Sequence, residues 1–242
     1  MLDVLAIGAH PDDIEIFMGG ALAAFHAQGL KTGICDLTQG EAGTYGSAET
    51  RALELSKATE ILSVEKRFAL NLPDGNVQNT ESARLKVIQV IRDTRPELVF
   101  TFANAPMRHP DHQNTGIIVR ECVFLAGLEK INTGKPPFRP SVCIGFPELI
   151  PTAEPDFVVD ITKFWDVKLN AIRAYGSQVT AEGENDGNTK TFIRSNRFWE
   201  ILEARAVMAG AKVGASFGEP FFSDQPLRIE DVLTPFIKKD IR

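Results

Sequence analysis

Residues 8–15, Gly-Ala-His-Pro-Asp-Asp-Ile-Glu, crowd one imidazole and three carboxylates together: His10, Asp12, Asp13 and Glu15. A second polar cluster, Arg108-His109-Pro110-Asp111-His112, lies far downstream, and the two clusters hold three of the four histidines in the chain. Side chains of these types bind divalent metals. Catalytic zinc sites usually take three protein ligands and leave a position for water, and His10, Asp13 and His112 can supply such a His₂Asp set. Asp12 is then free to act as general base toward a water. His109 can project toward the same site as His112. Protonated, it would stabilise an oxyanion, with Asp111 or another carboxylate holding it charged. The plainer alternative is that Asp12 and Asp13 complement a helix dipole while the histidines decorate a helix start. That alternative does not explain why both clusters directly follow apolar, strand-like runs.

Further side chains have less specific readings. Glu15 could hydrogen-bond a ligand or the backbone of the site, or sit solvated on a helix. Arg51 opens a helix after a glycine-rich loop, and both it and Arg108 could bind a substrate anion bidentately. Asp74, in a Pro-Asp-Gly sequence, reads as a turn residue. Two His and one carboxylate are also the facial triad of iron oxygenases, and a non-catalytic sugar binder is a third reading. The extra carboxylate Asp12 fits hydrolysis better than either.

Such a site needs elements to position it. Val4-Leu5-Ala6-Ile7 reads as a buried strand, and Ile14, Phe17, Met18, Ala21, Leu22 and Phe25 follow with helical spacing. The first cluster therefore sits where a strand turns into a helix. Leu98-Val99-Phe100-Thr101-Phe102 is likewise strand-like and precedes the second cluster. Strand and helix patterns alternate to about residue 161, which predicts right-handed βαβ units around a parallel sheet. The expected fold is α/β: a Rossmann-like parallel-sheet sandwich forming a single domain over residues 1–242. Its core spans about 1–161, and 162–242 form a C-terminal elaboration with an aromatic, irregular tail. A doubly wound strand order would make strands one and four neighbours and bring the two clusters face to face. The glycine-rich segment 40–46 and the polar segment 180–191 are expected to rim the pocket, and to order around substrate.

Composition bounds the partners. The chain has 242 residues and a net charge of −6, with no basic run longer than Lys238-Lys239. That argues against nucleic acid as a partner. No stretch approaches the roughly 18 consecutive apolar residues needed to span a bilayer, and the N-terminus does not read as a signal peptide. Three widely separated cysteines fit neither a zinc nor a disulfide framework. Reduced, buried thiols and a cytoplasmic location are the expectation.

Ala9-His10-Pro11-Asp12-Asp13-Ile14-Glu15 together with His109-Pro110-Asp111-His112 resembles the zinc-dependent N-acetylglucosaminyl de-N-acetylases, the LmbE-like or PIG-L family. Segments 35–38, 72–74 and 219–223 look like its bacillithiol-biosynthesis branch. That branch deacetylates N-acetylglucosaminyl malate, while relatives act on small chitooligosaccharides. The resemblance implies Zn²⁺ as cofactor, held by His10, Asp13 and His112. It implies Asp12 as base, His109 as the oxyanion-stabilising acid and Arg51 at the substrate. It also implies a small amino-sugar conjugate as partner and a homo-oligomer, such as a hexamer.

Overall fold

The computed structural model describes residues 1–105, 107–180 and 191–228. Seven strands form the sheet: β1 (Val4–Gly8), β2 (Thr32–Asp36), β3 (Lys66–Ala69), β4 (Leu98–Phe102), β5 (Val142–Phe146), β6 (Phe157–Asp160) and β7 (Gly218–Ser223). Among the described residues six α-helices accompany them: α1 (Asp13–Ala27), α2 (Ala48–Ile61), α3 (Glu81–Thr94), α4 (Pro110–Leu125), α5 (Trp165–Arg173) and α6 (Asn196–Val213). The strand order is β3-β2-β1-β4-β5-β7-β6, and β1 to β5 run parallel. The order is that of a doubly wound sheet around β1, with β1 and β4 neighbours and Val4 opposite Leu98.

A parallel sheet buried on both faces explains the continuous apolar runs. Along β1, Val4 and Ala6 face one core and Leu5 and Ile7 the other. The first core takes Ile14, Phe17 and Leu22 of α1, Ile172 of α5 and Phe198 and Leu202 of α6. The second takes Val87, Ile88 and Ile91 of α3 with Ile118, Val119 and Cys122 of α4. All three cysteines are buried and unpaired. No helix among the described residues is long and apolar enough to cross a membrane.

The C-terminal region departs from expectation in one respect. Its tail is not irregular: β7 inserts between β5 and β6, antiparallel to both. Gly218 and Pro220 break the alternation that marks a strand. Pro220 is tolerated because β5 pairs only with Phe222 and Ser223, leaving the rest of β7 to β6 alone. The elaboration therefore completes the sheet that carries the site.

Candidate active site

The site lies at the carboxyl ends of β1 and β4, where strand order reverses and open α/β sheets bind ligands. The β1–α1 turn is built around Asp13. Its Oδ2 accepts the backbone N–H of Ala9 at 2.9 Å and of His10 at 2.8 Å. Its Oδ1 lies 3.2 Å from His112 Nε2, and His10 Nδ1 is 3.5 Å from Oδ2. The rings of His10, His109 and His112 stand within 5.4 Å of one another, centroid to centroid. His112 is stacked on Phe102 of β4, with centroids 4.1 Å apart. The second cluster, remote in sequence, therefore closes directly onto the first.

The outward nitrogens of both imidazoles meet carboxylates. His10 Nε2 lies 3.1 Å from Asp74 and 3.3 Å from Asp111, and His112 Nδ1 lies 2.8 Å from Glu148. Burial disfavours charge on both rings, but the surrounding carboxylates outweigh it: Asp111, Asp13 and Asp74 at His10, and Asp13 ahead of Glu148 at His112. His10 is raised well above the usual histidine value, and His112 is pushed up to about 9. Burial works against the Asp13 carboxylate too, yet His112 and His10 hold it below the usual range. The environment is thus one that stabilises positive charge. His10, Asp13 and His112 offer one ligand atom each within 4.8 Å of one another, and so do His10, His109 and Asp111. Two imidazoles, a carboxylate and outer carboxylates orienting the rings are a donor set that fits a divalent metal.

Asp12 is the N-cap residue of α1, yet its side chain makes no capping hydrogen bond. Its backbone is left-handed, with φ 113°, a strained conformation for a residue with a Cβ. The carboxyl faces a cavity of about 410 Å³ instead of the helix. Burial and the adjacent Asp13 push its pKa up to about 7, against the opposing pull of Arg51 and His10.

His109 caps α4, its Nδ1 accepting the Asp111 N–H at 3.1 Å. With Nδ1 an acceptor, the proton of the neutral ring belongs on Nε2. Burial, with the cationic His10 and His112 next, lowers its pKa. The expectation of a protonated His109 held by the Asp111 carboxylate is corrected accordingly. That carboxylate is 1% exposed and accepts the N–H groups of Gly75 and Val77 at 2.8 and 3.0 Å, besides meeting His10.

Arg51, Arg108, Asp74, Gln178 and Glu148 share the cavity with the three histidines, Asp12 and Asp13. Arg51 is buried, and among the described residues only its Nη2 finds a partner, the Pro11 carbonyl at 3.4 Å, while Nε and Nη1 find none. Gly40 makes room for it, since a Cβ there would meet Nη2 at 2.1 Å. Arg108 packs over the Phe192 ring. Gly40, Ala42 and Gly43 of the glycine-rich segment line the cavity, as do Thr191, the last residue of the polar one, and Phe192 after it. Most of that polar segment, residues 181–190, lies outside the described residues.

Glu15 belongs elsewhere. It is fully buried, bonded at 2.6 Å by Arg67 and at 3.0 Å by the Tyr175 hydroxyl, and it does not line the cavity. Its expected contact with substrate is therefore withdrawn. Conversely, Asp74 is more than a turn residue. Its Oδ2 also accepts the Ala42 N–H, tying the glycine-rich segment to His10. Glu148 carries no local signal at all, because only tertiary folding brings it to His112.

Comparison with known proteins fits this geometry. Residues 5–123 match the family model described as PIG-L, GlcNAc-PI de-N-acetylase. A diacetylchitobiose deacetylase from Thermococcus kodakarensis is 33% identical over 189 residues, covering 72% of this chain and 69% of that one. The chain belongs to the PIG-L family. A probable N-acetyl-alpha-D-glucosaminyl L-malate deacetylase 2 from Bacillus subtilis is 28% identical, covering 72% of this chain and 82% of the relative. Among solved structures, the conserved protein TT1542 from Thermus thermophilus superposes with a TM-score of 0.85 at 37% identity, over 95% of this chain and 97% of that one.

Proposed function

We propose that this PIG-L family member is a metal-dependent hydrolase that removes the acetyl group from an N-acetylglucosamine unit. The observation that carries the reading is the convergence of Asp12, His109 and the His10, Asp13, His112 set on one cavity. His10, Asp13 and His112 would hold zinc, which when bound supplies Lewis acidity that brings the pKa of water to about 7. Asp12 accepts a proton from the attacking water, a role suited to a carboxyl with a pKa of about 7. The Nε2–H of neutral His109 donates to the oxygen that gains charge as the carbonyl carbon becomes tetrahedral. The C–N bond then breaks and the amine leaves with a proton. Asp12 is the group that has just gained one, whereas His109 has only the proton that holds the oxyanion. Asp12 therefore serves as base and then acid.

The substrate reading is an amino sugar joined to a carboxylic acid, with N-acetylglucosaminyl malate as its best representative. Arg51 supports it, because two buried, unpartnered guanidinium nitrogens beside a cavity favour a bidentate anion. The neutral alternative, a chitooligosaccharide, draws on the Thermococcus relative. Incubating zinc-loaded protein with N-acetylglucosaminyl malate and with diacetylchitobiose, and weighing the products by mass spectrometry, tests both. Loss of an acetyl group from neither would refute the deacetylase reading.

Two variants sharpen it. Arg51→Ala should weaken kcat/KM for the malate conjugate by about 1.5–3 kcal/mol, typical of a hydrogen bond to a charged group, and for diacetylchitobiose by less. Equal losses on the two substrates would remove the anion argument. Glu148→Gln should weaken metal affinity by about 10–100-fold, since an imidazole ligand loses the carboxylate that orients it. Chelator competition reads this directly, and parental affinity would exclude Glu148 from the centre.

A further inference from the structure

Helix α1 is not continuous. Met18 departs from helical geometry, with φ −147° and ψ 19°. In an unbroken helix the Gly20 N–H would bond the Ile16 carbonyl and the Ala21 N–H the Phe17 carbonyl. Here Gly20 and Ala21 donate to the two oxygens of Glu219, at 3.2 and 2.6 Å. The Ile16 carbonyl accepts from Lys168 Nζ, which is also paired with Glu219. A carboxylate therefore caps the second half of α1 as an N-terminus, and an ammonium caps the first half as a C-terminus. Each sign suits the helix end it meets. Both side chains are fully buried. Gly20 lets Ile161 pack against the helix beside the break, as a Cβ there would sit 2.8 Å from the Ile161 side chain. Glu219 is on β7 and Lys168 on α5, so the whole wedge comes from the C-terminal elaboration.

The half-helix that the wedge fixes carries the chemistry. Asp12 and Asp13 lead into it, and Ile16 and Phe17 line the cavity. We propose that Lys168 and Glu219 are positioning residues: together they hold the break in α1 that aims Asp12 and Asp13 into the active site. Neither lines the cavity. A buried ion pair whose only task was stability would be a poor choice, because apolar replacement of such pairs is often neutral or stabilising. What an apolar pair cannot do is satisfy the freed backbone groups on both sides of a break. Without the wedge, α1 gains by closing the Gly20 to Ile16 bond, and that rotates the half-helix bearing Asp13.

This inference rests on the metal-centre reading above, and the test keeps the two apart. Cobalt(II) is titrated into the parent, Glu219→Gln and Lys168→Met/Glu219→Met, following affinity and the visible ligand-field spectrum. Hydrogen exchange is measured at the amides of residues 16–21. In the double variant, cobalt affinity should fall about 10-fold or more, as for removal of a group that orients a ligand, with an altered spectrum and a melting temperature above that of the assay. Glu219→Gln, which keeps one acceptor oxygen, should fall between the parent and the double variant. If the double variant does not fold, Glu219→Gln decides between the outcomes. Parental affinity, spectrum and exchange in a folded variant would overturn the proposal. A parent that binds no cobalt would refute the metal centre instead, and unchanged exchange in Glu219→Gln would then overturn the wedge on its own.

Discussion

Asp12→Asn is expected to lower turnover by about 10²–10⁴-fold, the usual worth of a positioned base, while metal content stays at the parental level. The expectation rests on what Asp12 does not do. It occupies the N-cap of α1, where an Asp normally accepts a backbone N–H, yet it makes no such bond and holds a left-handed backbone. A conformation of that kind costs on the order of 1–3 kcal/mol and persists where the surroundings impose it. Here it turns the carboxyl away from the helix and into the cavity. Asn keeps the shape but accepts no proton, so binding of metal and substrate should survive while proton transfer fails. Asp12→Gly should raise the melting temperature, because glycine adopts positive φ without the Cβ penalty, and should be as inactive as Asn. Release of product amine at saturating substrate, with metal analysis of the same samples, reads both. Near-normal turnover in Asp12→Asn would mean that another group takes the proton.

The groups that gather at the candidate site are legible in this sequence because each cluster is local and follows an apolar strand. His10-Pro11-Asp12-Asp13 and His109-Pro110-Asp111-His112 each lie within four positions, and a doubly wound order, if the βαβ alternation takes that form, makes their strands neighbours. The groups that hold these side chains in place are not legible. Asp74 reads as a turn residue because its contact with His10 is made by folding across the sheet. Glu148 is a single carboxylate without pattern, and the resemblance of segment 219–223 says nothing of where Glu219 points; each meets a residue far away in the chain. Glu15 misleads in the opposite direction. Its proximity to Asp13 in sequence suggests the site, but one helical turn spreads side chains over different faces, and Glu15 points to Arg67. Motif spacing thus reports which groups gather at the site, while tertiary pairing decides their protonation and aim.

The proposed metal ligands give the second large effect. Two trios have suitable spacing: His10 with Asp13 and His112, and His10 with His109 and Asp111. Hydrogen bonding separates them. Both Asp111 oxygens already accept backbone N–H groups, and His109 Nδ1 accepts another. Asp13 Oδ1, in contrast, meets only His112, whose far nitrogen is oriented by Glu148. His112→Ala should therefore cost more metal affinity than the roughly 100-fold upper range for an orienting neighbour, and abolish activity with it. His109→Ala should keep the metal and lose turnover alone, as for a donor to the oxyanion, about 10²–10³-fold. Elemental analysis of purified parent and both variants decides the matter. It also distinguishes zinc from iron, and so hydrolysis from oxygenase chemistry. Full metal occupancy in His112→Ala with loss in His109→Ala would move the centre to the second trio and return Asp13 to the role of a turn anchor.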